Sequence, residues 1–352
     1  MLSVERGVDG GTALVAMSGG VDSTVAAMLA LGGGIDCAGA IMKLYPCGDG
    51  FDSDAREAAE RLGIPFYVFD FSESFAKHVI KPFIGAYREG RTPNPCVDCN
   101  KHIKFGRLLE KAGELGKDVI VTGHYAQIGQ DGDGRYLLKK GADLSKDQSY
   151  MLYTLTQEQL SHTLFPLGGL TKQEVRELAT GAGLGCAMKK ESQDICFVPD
   201  GEYAKFITEY TGEAPLKGRF IDADGNDLGE NNGVINYTIG QRRGLGLAMP
   251  YPPYVLDIRP EDGTVVVGGN ELLFSKTLCA NNINLIPVEK LDAPVKARVK
   301  IRYSRREQPA TVWQTGDDTL RVEFDEPQRA ITKGQAAVIY DGGVVIGGGT
   351  IF

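Results

Sequence analysis

No stretch of this 352-residue chain holds the roughly 18 consecutive apolar residues that a membrane-spanning helix needs. Its opening, MLSVERGVDGGT, shows no basic region followed by an apolar one, so no secretory signal is read and a cytoplasmic protein is expected. Low-complexity tracts and internal repeats are also missing. Cysteine is sparse: the seven residues at 37, 47, 96, 99, 186, 196 and 279 are too irregular for the disulfide framework of a small secreted domain, which favours reduced, reactive or metal-bound thiols. Positive charge is in deficit, and a net charge of −8 argues against wholesale coating of nucleic acid, although a local basic surface can still meet a phosphate backbone. What is present is a globular composition, 42% hydrophobic and 24% charged, in a chain long enough for two or three domains.

From 13 to about 197, strand-like runs (13–17, 38–42, 66–69, 119–122) alternate with helical stretches such as 54–62 and 101–115, the βαβ rhythm of a parallel sheet. Thr171 and Glu174 form a capping box that opens one more helix. After about 198, Gly, Asp and Asn become frequent and the helical signal is brief, around 201–210. From about 264 the runs TVVVGG, VKARVKIRYS, PATVWQTGDD, TLRVEFDE, QAAVIYDGG and VVIGGGTI read as short strands of a small antiparallel barrel. The expected fold is α/β: a parallel-sheet domain over 1–197, a central linking domain over 198–266 and a C-terminal β-barrel over 267–352.

The strand at 13–17 runs into Ser18-Gly-Gly-Val-Asp-Ser23 and then into a helical stretch. A glycine turn at a helix N-terminus presents unpaired N–H groups and a favourable dipole to an anion, so this loop can hold phosphate. GxxxxGK[ST] is absent, which excludes a Walker loop. SGGVDS instead resembles the pyrophosphate (PP) loop of the ATP-pyrophosphatase superfamily, whose adenine nucleotide alpha hydrolase-like members cleave ATP between the α and β phosphates and adenylate a substrate oxygen.

Further motifs narrow the choice. GRTPNPCVDCNKHIKFG (90–106), TGHYA (122–126), SKDQSYMLYTL (145–155), ESQDICF (191–197), YTIGQRRGLG (237–246), IRYSRR and TKGQAAV stand in one order along the chain. Together they resemble the tRNA-specific 2-thiouridylase family, which thiolates the wobble uridine. The resemblance implies ATP contacts, with Mg2+, from Ala16, Met17, Ser18, Gly19, Gly20, Val21, Asp22, Ser23, Met42 and Gly123. Cys99 and Cys196 fall on the family's two active-site cysteines, Cys196 carrying a persulfide and Cys99 helping to release its terminal sulfur. The resemblance also implies that Cys96, Val97 and Asp98 lie beside the target base, and that His124, Lys146, Asp147, Gln148, Arg302, Tyr303 and Gln335 meet tRNA. It implies a sulfur donor, a cysteine desulfurase or a relay protein, and a monomer.

Physical chemistry points the same way for Cys99, which stands where a helical segment is expected to start, with Lys101, His102 and Lys104 close by to favour the thiolate. The chain departs from the family at Cys96, where most members carry an acidic residue. Cys96, Cys99 and Cys196 form a trio that can hold three irons of a [4Fe–4S] cluster and leave the fourth open for hydrosulfide; the alternative is that Cys96 is a spectator or a regulatory disulfide partner. Cys37, Cys47, Cys186 and Cys279 are read as core or surface thiols.

In Lys296-Ala-Arg-Val-Lys-Ile-Arg-Tyr303 charge alternates with apolar residues, and with Arg305 and Arg306 six positive residues fall in eleven. Period two places Lys296, Arg298, Lys300 and Arg302 on one face, a stripe suited to an RNA backbone. Gln241, Arg242, Arg243, Lys189 and Lys190 add to it. Two other readings stay open: a PP-loop synthetase acting on a small molecule, and a non-catalytic RNA-binding protein with a structural metal at the cysteines. Pyrophosphate release that requires tRNA separates all three.

Overall fold

A computed structural model describes residues 11–46, 48–185, 195–198 and 200–352. They divide into two compact units, one of 11–79, 96–185 and 342–346, the other of 80–95, 195–341 and 347–352.

The first unit is built on strands β1 (Thr12–Ala16), β2 (Asp36–Lys43), β3 (Phe66–Asp70) and β4 (Val119–Val121), a hairpin of β5 (Ala126–Gln130) and β6 (Tyr136–Lys140), and β7 (Thr163–Leu164). The parallel sheet has the order β3-β2-β1-β4-β7. β1 reads TALVA because both of its faces are covered: Ala13, Leu14 and Val15 are fully buried. Helices α1 (Val21–Gly32), α2 (Ser53–Leu62) and Lys172–Gly181 supply Val25, Ala55 and Val175 to the same core. The chain leaves β1 toward β2 on one side, while β4 lies on the other. The loops after β1 and β4 therefore diverge at the carboxyl edge of the sheet, where open α/β folds bind ligands.

The second unit holds a sheet of β8 (Gly218–Ile221), β9 (Asp227–Asn231), β10 (Tyr254–Arg259) and β11 (Thr264–Gly268), ordered β10-β11-β8-β9 around Phe220, Tyr237, Val255 and Val265. A barrel follows, of β12 (Phe274–Leu285), β13 (Val295–Lys300), β14 (Gln308–Gly316), β15 (Thr319–Arg329), β16 (Ala336–Asp341) and β17 (Val344–Ile351). β12 pairs with both β15 and β17, which closes the ring.

The N-terminal parallel sheet, small central domain and C-terminal barrel expected from the sequence are all present. Three details differ. TVVVGG, read as the start of the barrel, is β11 and pairs with β10 and β8. β12 was not anticipated, because its asparagines look like turn residues; Asn282 does adopt a positive φ of 50°, but as part of an irregularity inside one continuous strand. β13 ends at Lys300, so the period-two face does not continue to Arg302. Among the described residues no helix is long and apolar enough to cross a membrane.

Candidate active site

The loop after β1 is shaped by its own hydroxyls. Ser23 Oγ accepts from the Ser18 amide at 3.1 Å and donates to Gly20 O at 3.1 Å, and Thr24 Oγ1 donates to Gly20 O at 2.9 Å. Gly19 sits at φ 72°, and a Cβ there would lie 2.4 Å from Asp54 Cβ and 2.8 Å from Ala55 N, so only glycine fits between this loop and α2. Ser18 is exposed and Ser23 buried, while Ala16, Gly20, Asp22 and Met42 are half-buried around the same strand ends. The Met17 amide donates to Ala40 O at 2.8 Å, and its side chain packs over Gly39.

Two residues that the sequence reading passed over complete this loop. Lys172 Nζ donates to both carboxylate oxygens of Asp22 at 2.8 Å, and Tyr125 Oη donates to Asp22 Oδ1 at 2.7 Å. Lys172 is buried and its ammonium lies 5.8 Å from the Tyr125 ring centre. A signal for it was present: a cation in the first turn of a helix opposes the helix dipole, and needs an anion elsewhere to explain it.

The loop after β4 reaches two sites at once. A Cβ on Gly123 would lie 2.8 Å from the Asp22 carbonyl carbon and 2.9 Å from Ser23 N, so Gly123 packs directly on the start of α1. His124, next in sequence, turns the other way, toward the cysteine helix. Its Nδ1 is 2.7 Å from Thr122 Oγ1 and its Nε2 is 3.5 Å from Lys104 Nζ, with Phe105 and Phe165 each 5.7 Å from the ring. An ammonium can only donate, so Nε2 accepts and Nδ1–H faces Thr122. Burial, and then Lys104, hold this imidazole well below its ordinary pKa.

The cysteine helix begins earlier than expected. Pro95–Asp98 makes a first turn, Cys99–Arg107 continues in wider π-type turns, and Leu108–Glu114 is α-helical. Proline in the first helical turn is a start signal that the sequence reading took for loop. Cys99 therefore stands in the second turn, so the dipole argument applied to it belongs to Cys96 instead. Cys96 is exposed, Val97 and Cys99 are buried and Asp98 is half-buried. Despite its exposed surface, the protein around Cys96 raises its thiol pKa by desolvation; Lys104 opposes this and Asp98 adds to it. Burial raises the Asp98 carboxyl to about 6 against the pull of Lys101. His102 is lowered by burial, by Lys101 and by His78, whose ring stacks at 4.9 Å, so it is no cationic aid to a thiolate. π-type turns collect at functional sites.

A pH test follows from the two depressed imidazoles. Just below the ordinary histidine pKa of about 6.5 the unfolded chain binds more protons than the folded one, so stability present above that pH is lost as pH falls through it. For His124 the slope approaches about 1.4 kcal/mol per pH unit. Asp98 titrates with the opposite sign, mainly between its ordinary value and about 6. Urea midpoints at pH 7.5 and 5.5 are expected to differ in the native chain, and the difference to shrink in His124→Gln; an equal difference in both would refute the assignment.

Of the residues expected at tRNA, Asp147 is buried and committed internally, accepting from Gly141 N, Ser149 N and Ser149 Oγ. Gln148 bridges to Tyr125 through two bonds, of 3.0 and 2.9 Å, and Lys146 is half-buried beside it. Asn100 Nδ2 donates to Met151 O at 2.9 Å, fixing the cysteine helix to the same segment.

In the second unit, Gln335 Nε2 donates to Thr92 O at 2.8 Å and Tyr303 is exposed under Lys300 at 5.3 Å. Arg302 is committed to Ile239 O, Ala330 O and Thr332 Oγ1. Lys296 and Arg298 are exposed but balanced by Asp325 and Glu307, so the cationic stripe is less continuous than its sequence suggests. Cys196 is exposed in a turn closed by the Ile195–Val198 bridge, while Phe197 packs 5.2 Å from Phe83 and 5.1 Å from Phe206. Cys99 belongs to the first unit and Cys196 to the second. Cys37 is a core thiol whose burial, with Asp36, raises it to about 11; Cys279 is half-buried. Cys47, Cys186, Lys189, Lys190 and the 191–194 part of ESQDICF lie outside the described residues.

Three family models match the chain in order: a tRNA methyl transferase HUP domain over 11–200, a tRNA methyl transferase PRC-barrel domain over 204–269 and an aminomethyltransferase beta-barrel domain over 275–351. The tRNA-specific 2-thiouridylase MnmA of Clostridioides difficile is 48% identical over 350 residues, covering 96% of this chain and 97% of that protein. The tRNA-specific 2-thiouridylase MnmA 1 of Caldanaerobacter subterraneus is 51% identical over 352 residues, with 96% and 97% covered. Matched over 96% of its length by relatives of nearly its own length, with the PP loop and the cysteine helix both in place, the chain belongs to the tRNA-specific 2-thiouridylase family.

Proposed function

We propose that the chain 2-thiolates the wobble uridine (U34) of tRNA at the expense of ATP. The observation that carries this reading is local to the first unit: consecutive residues of one loop, Gly123 and His124, pack on the PP loop and on the cysteine helix. A nucleotide loop and a thiol-bearing helix set on neighbouring residues suit a reaction that needs adenylation and sulfur together.

The uridine, unpaired and therefore cheap to extrude, attacks the α-phosphate of ATP through O2, and pyrophosphate leaves. The terminal sulfur of a Cys196 persulfide then attacks C2, and AMP departs with the former O2. Cys99 thiolate attacks the Cys196 sulfur, freeing the thiocarbonyl of 2-thiouridine and leaving a disulfide that an external dithiol reduces by two electrons. Mg2+ accompanies the ATP phosphates. A cysteine desulfurase or a relay protein supplies the persulfide, and the enzyme works as a cytoplasmic monomer. In this reading 1–197 is the catalytic domain, 198–266 links, and 267–352, through Tyr303 and Gln335, joins Lys146 and Gln148 in holding tRNA.

An iron–sulfur route would need three sulfurs gathered at one place. Cys96 and Cys99 belong to the first unit and Cys196 to the second, and no step is drawn through a cluster. Iron and sulfide analysis of anaerobically purified native chain and Cys96→Ala checks this: equal thiolation by iron-free protein is expected.

The function is tested by measuring pyrophosphate release with and without a wobble-uridine tRNA transcript. Release that depends on tRNA, matched by 2-thiouridine in the digested product, is the expected result; release without RNA would replace this reading with a small-molecule synthetase. Gly123→Ala forces a Cβ against the Asp22 and Ser23 backbone, and overpacking of this kind costs about 1–3 kcal/mol. It is expected to lower kcat/KM for ATP about tenfold or more, and unchanged ATP kinetics would count against Gly123 as part of the nucleotide site.

A further inference from the structure

The second unit contains a shallow, open depression of about 430 Å³ built by one irregular loop, lined among others by Arg242, Leu245, Leu247, Met249, Tyr251 and Pro253. The neck of this loop is closed: Gly240 N donates to Val255 O at 2.8 Å and Val255 N to Gln241 O at 3.0 Å, while Gln241 Nε2 donates to Arg243 O at 3.0 Å. Glycines 240, 244 and 246 take positive φ and bend the chain back on itself. Leu245 is buried in the core of the four-stranded sheet, and Leu247 and Met249 pack against that core, so one wall is fixed from below. Prolines 250, 252 and 253 stiffen the rim, and Tyr251 remains 41% exposed there.

The chemistry of the lining selects the occupant. From Thr238 to Leu256 there are two arginines and no acidic residue, in a chain whose net charge is −8. An open, mainly polar depression whose lining includes an exposed tyrosine ring and an exposed guanidinium fits a flat heterocycle followed by a phosphate. Single-stranded RNA is bound in this manner, with unstacked bases on aromatic faces and phosphates on arginine. A site of this size is also within the range that holds a nucleotide-sized ligand.

We propose that this pocket captures one unstacked nucleotide of the tRNA, other than the target uridine, with its base against Tyr251 and its phosphate on Arg242. The inference rests on the tRNA reading above and adds a second anchor to it. The test uses full-length protein and an unmodified tRNA transcript, with Tyr251→Ala, Tyr251→Phe and Arg242→Ala compared by tRNA affinity, by the kinetics of tRNA-dependent pyrophosphate release and by salt dependence.

Tyr251→Ala is expected to weaken tRNA binding about tenfold, the lower range of a lost base–aromatic stack, with the loss in KM rather than in kcat. Tyr251→Phe keeps the ring and is expected to stay within about twofold of the native protein. Arg242→Ala is expected to reduce the slope of log affinity against log salt by about one phosphate contact. If native protein binds and thiolates tRNA while all three variants match it, the pocket proposal is overturned and the tRNA reading stands. A native protein that binds no tRNA overturns both. Unchanged tRNA affinity with a loss confined to turnover driven by a sulfur-donor protein overturns the RNA assignment in favour of a protein ligand. Tyr251 is exposed enough that thermal melting should barely move; if Tyr251→Ala melts early, Tyr251→Phe and Arg242→Ala decide the outcome.

Discussion

Lys172→Met is expected to lower tRNA-dependent pyrophosphate release by two to three orders of magnitude, although Lys172 belongs to none of the motifs that mark the nucleotide site. Its ammonium is buried and bonded to both oxygens of Asp22, which sits in the PP loop. Without that cation, the proposed reaction would have an uncompensated carboxylate beside the triphosphate. Two unit charges about 4 Å apart at an effective dielectric of 20 interact by about 4 kcal/mol. Asp22 is half-buried, so water screens part of the charge that loss of the lysine leaves behind. The Tyr125 hydroxyl still donates to Asp22 but brings no charge, so it cannot compensate. The cause is separable from mere loss of structure, because Asp22→Asn in the same background removes the uncompensated charge. The double variant should then lose less than the sum of the single losses. Strict additivity, or a Lys172→Met protein that melts early but keeps its kcat/KM, would show that the lysine acts only as a structural prop.

The same pair shows what the sequence could and could not reveal. SGGVDS was legible because its residues are consecutive and lie between a strand and a helix, so the local chain alone builds the loop. Lys172 lies 150 residues from Asp22, and only the packing of helix Lys172–Gly181 against α1 brings them together. The capping box of Thr171 and Glu174 was read correctly, yet it accounts for the helix start and not for the lysine within it. Periodicity failed in a different way at Arg302. The alternation of charged and apolar residues runs on past Lys300, but the strand stops there, and the guanidinium turns to backbone carbonyls at 239 and 330. Counting cannot detect the end of a strand when the pattern outlasts the hydrogen bonds. For Cys99 the helix-start argument was displaced, since Pro95 starts the helix a turn sooner and puts Cys96 nearest the dipole.

Cys99→Ser is expected to stop multiple-turnover thiolation, with a loss on the order of 10³-fold or more, as when a group that must attack a covalent intermediate is removed. Its effect should differ in kind from that of Cys196→Ser. If Cys196 carries the sulfur, its serine variant can still release pyrophosphate from ATP but forms neither persulfide nor thiolated product. Cys99→Ser, in contrast, retains the persulfide carrier and can carry the reaction as far as Cys196–S–S–C2 of the base. With no second thiolate to break that bond, protein and tRNA should accumulate as a covalent adduct approaching one per chain, released by added dithiol. The positions suit this division of labour: Cys196 is exposed, as a group loaded by another protein must be, whereas Cys99 is buried in the helix that His124 and Asn100 fix in place. Cys96, exposed and with its thiol raised by its surroundings, is poorly suited to replace Cys99 as the attacking thiolate. Denaturing gels with labelled tRNA, run with and without dithiothreitol, measure the adduct. A dithiol-sensitive adduct in Cys99→Ser that disappears in the Cys99→Ser, Cys196→Ser double variant confirms the order of sulfur transfer. Full turnover by Cys99→Ser, or an adduct that survives loss of Cys196, would reverse or remove the assigned roles.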